Sequence, residues 1–202
     1  MCDKMAMHDM SMHSMSKPLR VWFYDPSNDT EGIVNKIVAF ADPPFCHCEL
    51  QFPDETACSI YMGTSVVMKK RSFDKDHYHC IEVNATRDNI EKAFCLCADA
   101  TKRNVRFSSL QMMQSITAGG SSRPETANGS IRDDTLTFCS KLVASVLLDS
   151  NVVPCSIRRN PTPSELYRWL NTTKDDSPFT RQADEGPCPV FELEPGTVLN
   201  IM

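Results

Sequence analysis

The chain has 202 residues, 41% of them hydrophobic and 23% charged, with no internal repeat. This is the composition of one globular domain with short extensions, and it excludes a wholly disordered chain. A formal charge of −5 and a single compact basic run, Lys69-Lys70-Arg71, leave little to neutralise phosphates, so no nucleic-acid partner is expected. No apolar run reaches the length of a membrane span and the opening residues lack the apolar core of a signal peptide, so no transmembrane segment, a cytoplasmic location and ten reduced cysteines are expected.

Residues 1–17 are biased toward Met and His (Met1, Met5, Met7, Met10, Met12 and Met15 with His8 and His13), a composition that cannot build a core. These soft side chains suit copper(I), but composition reads as a flexible N-terminal tail. Residues 19–24 read as a first strand, Asp25 to Asp29 as a turn, and 32–41 as a helix that Asp42-Pro43-Pro44 ends.

Three strand segments follow, at 45–52, 58–62 and 77–83, with Val66, Val67 and Met68 as a short extra one and Pro53-Asp54-Glu55 as a turn. Residues 86–103 carry helical spacing in Ile90, Ala93, Phe94 and Cys97, with Thr86 placed to cap the start. The Gly, Ser, Thr and Asn content of 115–134 predicts a long loop, either a lid or simply mobile. Leu142, Val143, Val146 and Leu147 then give a buried helical face, with Cys139 near its beginning. Thr162, Pro163 and Glu165 supply cap, first position and capping box for a helix to Leu170, and 171–202 reads as a C-terminal extension.

The segment Phe45-Cys-His-Cys-Glu49 raises the question of a metal site. Alternation on a strand puts Cys46, Cys48, Leu50 and Phe52 on one face and His47, Glu49 and Gln51 on the other, so a cluster using both cysteines and the histidine is not expected, and the cysteines read as small hydrophobes of a core face. What remains is a polar face led by His47. Cys139, at the first turn of an apolar helix, is the other reactive group, because exposed amides and the helix dipole favour a thiolate there.

His47-Cys-Glu49-Leu-Gln-Phe52, then Phe138-Cys139-Ser-Lys-Leu-Val143, then Thr162-Pro-Ser-Glu-Leu-Tyr167, in that order with a meander between, resemble the three motifs of the circularly permuted papain-like superfamily, relatives of the NlpC-type cysteine hydrolases. The flavour looks like that of large DNA viruses, including poxviruses. The resemblance covers 19–170 and implies an α+β, permuted papain-like fold over 18–170: a small antiparallel sheet or partial barrel packed against helices, with the nucleophile at a helix N-terminus. It implies Cys139 as nucleophile and His47 as base, with Glu49, Glu55, Ser59 or Tyr61 as orienting third residue, Glu49 being the family-like acid. It implies a peptide, isopeptide or acyl-ester substrate, with no cofactor and no metal. Ser140-Lys141 stands where the lecithin:retinol acyltransferase branch has Glu-His, which argues against lipid acyl transfer. The competing expectation is a non-catalytic structural or virion-associated protein that uses the scaffold to bind other virion proteins.

Overall fold

A computed structural model describes residues 18–28, 42–117, 130–132, 134–154 and 159–175. The predicted Met- and His-rich tail, the helix at 32–41 and nearly all of the C-terminal extension lie outside the described residues. Among those described, the protein is a mixed α+β fold with a five-stranded antiparallel sheet and four helices.

The sheet is built from β1 (Leu19–Tyr24), β2 (His47–Gln51), β3 (Thr56–Ser59), β4 (Val67–Lys70) and β5 (Tyr78–Val83), in the spatial order β4-β3-β2-β1-β5. β1 and β2 are interior strands, so the apolar alternation of the first and the chemistry-bearing letters of the second both lie inside the sheet. The first strand appears as expected, those at 45–52 and 77–83 are trimmed at their ends, the one expected at 58–62 begins at Thr56 and ends at Ser59, and the short one at 66–68 runs on to Lys70. Leu19, Val21, Phe23, Cys48, Leu50, Cys58 and Ile81 share the face that carries the hydrophobic core.

Helix α1 (Arg87–Lys102) is capped by the Thr86 side chain, which accepts from the Asn89 amide at 3.2 Å. A second helix, α2 (Ser109–Thr117), corrects the expected loop from Ser115: Ser115 through Thr117 are helical. The Ser108 hydroxyl accepts from the Gln111 amide at 3.2 Å and so starts this helix. Two short parallel strands, β6 (Arg106–Phe107) and β7 (Leu136–Thr137), place the entrance of α2 beside the entrance of α3 (Cys139–Asp149). In α3, residues Leu142, Val143, Val146 and Leu147 are at most 1% exposed and pack against the sheet, as their spacing predicts. Among the described residues no helix is long and apolar enough to cross a membrane.

Helix α4 (Pro163–Asp175) runs past the expected end at Leu170. Its capping box forms in both directions: the Glu165 amide donates to the Thr162 hydroxyl at 3.1 Å, and the Thr162 amide donates to the Glu165 carboxylate at 2.9 Å. The same turn grips the chain that enters β2. The Ser164 hydroxyl donates to the Asp42 carbonyl at 2.7 Å and accepts from the Phe45 amide at 3.0 Å, and the Thr162 hydroxyl bonds the Asp42 carboxylate. The Ser140 hydroxyl donates to the Pro161 carbonyl at 2.7 Å, which ties α3 to the same corner. The Thr-Pro-Ser segment therefore fixes the start of β2 and the start of α3 against each other.

Candidate active site

Cys139 is the first residue of α3, after Phe138 in an extended conformation (φ −139, ψ 170) that offers no side-chain cap. The first-turn amides thus carry no competing acceptor from the cap, and a negative group beside them is favoured. His47 opens β2, the strand on which α3 packs. The β2–β3 ladder covers only Leu50 with Cys58 and Gln51 with Ala57. Beyond it, both His47 and Cys48 act on the Cys139 sulfur, although alternation assigns these to opposite faces. Strict alternation holds along the ladder but does not keep the two apart at this end.

The Cys139 thiol is pulled down first by the hydrogen bond from the Cys48 thiol. Burial pushes it up, and the hydrogen bond and charge of His47, with the Cys48 amide, bring it well below the ordinary thiol value. Burial pushes the Cys48 thiol up, so Cys48 stays protonated and donates. For His47, burial lowers the pKa, but hydrogen bonds to Cys139 and then Glu49, together with their negative charge, outweigh it and raise the imidazole to about 9. The two shifts agree on a thiolate facing an imidazolium.

His47 Nε2 lies 3.5 Å from Glu49 Oε1 and 3.3 Å from the Ser59 hydroxyl. Extending the β2–β3 register by one and three residues beyond Leu50–Cys58 places Ser59 opposite Glu49 and Tyr61 opposite His47. Tyr61 stacks on the imidazole, with ring centroids 5.0 Å apart, and its hydroxyl donates to Glu49 Oε1 at 3.1 Å. Of the open choices for a third residue, Glu49, Ser59 and Tyr61 all gather at His47. Glu55 sits exposed at the hairpin turn, at the far end of β2.

The expected polar face is corrected in one respect: Glu49 is 0% exposed and Gln51 5%. Trp22, Arg71, Phe73 and Tyr78 come in from β1, from the segment after β4 and from β5, and cover it. Burial raises the Glu49 carboxyl, but the hydrogen bond and charge of His47, the Arg71 guanidinium and the Tyr61 hydroxyl hold it below the usual carboxylate range.

Sequence reasoning missed two residues here. Cys48 lies in the hydrophobic core as expected, and what was missed is that its thiol also acts on the candidate nucleophile. Arg71 read as the end of a basic run; the available signal was its place two residues before Phe73 and seven before Tyr78, whose rings flank it. An apolar cleft lined by Phe45, Met112, Ile116, Phe138 and Pro163 opens on Cys139. Among the described residues no three His, Cys, Asp or Glu side chains are grouped to hold a metal ion. No family model, curated protein or solved structure matches the chain.

Proposed function

We propose that this chain is a papain-like cysteine hydrolase of permuted order, acting on a peptide, isopeptide or acyl-ester bond through Cys139, His47 and Glu49. The observation that carries the reading is the partly buried imidazole of His47, 3.5 Å from the Glu49 carboxylate and raised by the Cys139 sulfur. Nucleophile, base and orienting acid in that sequence are what thiol-based acyl transfer requires.

In the reaction, the Cys139 thiolate adds to the substrate carbonyl, and the oxygen takes the negative charge beside the first-turn amides of α3. The carbonyl re-forms as the bond to the leaving amine or alcohol breaks, and the His47 imidazolium gives that group its proton. The thioester is then attacked by water, whose proton returns to His47, releasing the carboxylate and restoring the thiolate–imidazolium pair. Glu49 holds the Nε2 side of the ring, which leaves Nδ1 for the sulfur and the leaving group.

One observation favours a second reading, a structural or virion-associated protein that uses this scaffold for partner binding: Cys139 is only 4% exposed. Limiting iodoacetamide at about pH 6, with labelled cysteines mapped by mass spectrometry, separates the two, because ordinary thiols are then almost wholly protonated. Labelling concentrated on Cys139 and lost in His47→Ala supports the hydrolase. Labelling at exposed Cys80 with Cys139 silent would sink it.

A further inference from the structure

Three groups converge on one oxygen of a fully buried carboxylate. Glu49 Oε1 accepts from Arg71 Nη1 at 2.6 Å and from the Tyr61 hydroxyl at 3.1 Å, and faces His47 Nε2 at 3.5 Å. The guanidinium that provides the shortest of these contacts is fixed from several directions. Its Nη2 donates to the Tyr78 hydroxyl at 2.9 Å, Nη1 also bonds the Tyr61 hydroxyl, and its carbon lies 4.9 Å from the Phe73 ring centroid. The Arg71 carbonyl accepts from Gln51 Nε2 at 2.8 Å, Gln51 Oε1 accepts from Trp22 Nε1 at 2.8 Å, and Trp22 stacks on Phe73. Such a frame is far more than a surface ion pair needs.

The demand on this frame follows from acid–base chemistry. A histidine that serves as base and then acid passes between imidazolium and imidazole in every cycle. A buried carboxylate whose only cation was that imidazolium would lose its partner each time, and burial would then favour protonating the carboxylate itself. Arginine keeps its charge at every accessible pH.

We propose that Arg71 is the positioning residue of this site, a permanent cation that keeps Glu49 ionised and aimed at His47 in both protonation states of the imidazole. The proposal rests on the Cys139–His47 reading above. The titratable groups that face this cluster are His47 on β2, Tyr61 beyond β3, Arg71 beyond β4 and Tyr78 on β5, with Cys139 reaching it through His47.

The test follows two quantities in the wild type, Arg71→Met, Arg71→Lys and Arg71→Gln: the titration of the His47 imidazole by NMR, and the rate of Cys139 alkylation by iodoacetamide from pH 5 to 10. In Arg71→Met the His47 titration is expected to fall by about one unit or more and the alkylation rate at pH 6 by about tenfold. Arg71→Lys, which restores charge without the planar fork, is expected to recover the titration but only part of the rate. A His47 titration and a rate that Arg71→Met leaves unchanged would overturn the proposal, since loss of a merely structural contact moves stability and not these profiles. If Arg71→Met does not fold, Arg71→Gln decides: it keeps hydrogen-bond donors and loses only the charge, and a His47 titration and a rate at pH 6 equal to wild type overturn the proposal. A wild type that shows no selective low-pH labelling of Cys139 defeats the hydrolase reading alone, because the His47 titration still reports on Arg71.

Discussion

His47 Nε2 and Glu49 Oε1 stand 3.5 Å apart although the two residues are neighbours on one face of one strand. Their α-carbons are about 7 Å apart by strand geometry, so the carboxylate must lean along β2 to reach the ring. It is held in that lean from the far side: Arg71 and Tyr61 both bond the same oxygen, while the Tyr61 ring lies parallel to the imidazole. An imidazole bracketed by this carboxylate and the Cys139 sulfur keeps its proton up to about pH 9.

That bracketing gives stability a specific pH dependence. The folded His47 is raised from 6.5 to about 9, so its contribution is complete below pH 6.5 and is lost through about pH 9. The folded Cys139 is lowered from 9.0, so its contribution is complete above pH 9.0 and is lost as pH falls through its depressed value. Between pH 6.5 and 9.0 the folded pair and the unfolded pair each hold one proton, and their contribution is flat. Below pH 6.5 the unfolded pair holds two and the folded pair one, so stability falls on acidification by up to about 1.4 kcal/mol per pH unit. Urea unfolding from pH 4 to 9 is expected to show this acid slope in the wild type and a shallower one in Cys139→Ala. Equal slopes would mean that no ion pair exists.

Cys48→Ala removes the donor that most strongly favours the Cys139 thiolate while leaving a small apolar side chain on the core face. The expected result is an upward shift of the lower limb of the Cys139 alkylation profile, by about one unit, with His47 still in place. The measurement is the rate with iodoacetamide against pH, and an unmoved limb would show that the Cys48 thiol is only packing.

The local parts of this molecule were legible in the letters. β1 occupies the six residues that its alternation predicts, and the Thr162–Glu165 box forms both of its hydrogen bonds. Cys139 does open a helix with an apolar face. What sequence could not supply is what covers His47 and Glu49. Arg71 is 22 residues from Glu49, and Trp22 is 29 from Gln51; these meet only because the sheet order sets β1 beside β2 and brings the segment after β4 back over them. Helix α2 was missed for a different reason: Met112 and Ile116 stand at i, i+4 spacing, but the Gly, Ser, Thr and Asn content that follows from Ser115 reads as a loop.

Glu49→Gln keeps the shape of the side chain and removes its charge, which leaves the partly buried Arg71 and His47 without their shared counter-ion. Breaking such a pair from one side costs about 3–5 kcal/mol, so a clear loss of stability is expected in urea unfolding at pH 7. If activity is found, kcat should fall by up to about 10⁴-fold, the cost of losing an orienting carboxylate in Ser-His-Asp enzymes. Tyr61→Phe is the mild counterpart. It keeps the ring on the imidazole and removes the hydrogen bonds to Glu49 and from Arg71, for about 1 kcal/mol each. A Tyr61→Phe effect as large as that of Glu49→Gln would move the orienting role from the carboxylate to the phenol.

Ser164 tests whether the Thr-Pro-Ser corner positions the site or merely starts a helix. Its hydroxyl is 1% exposed, accepts from the Phe45 amide at 3.0 Å and donates to the Asp42 carbonyl at 2.7 Å, so Ser164→Ala leaves a buried amide without its acceptor. That costs about 1–3 kcal/mol. Helix α4 itself keeps its cap, because the box uses Thr162 and Glu165. The loosened element is therefore the approach to β2, and with it His47, two residues beyond Phe45. Ser164→Ala is expected to keep its helical circular dichroism and to lose several-fold in Cys139 alkylation at pH 6, as a misplaced imidazole stabilises the thiolate less well. An unchanged alkylation rate with the same loss of stability would confine Ser164 to packing and leave the placement of His47 to the β1–β2 ladder alone.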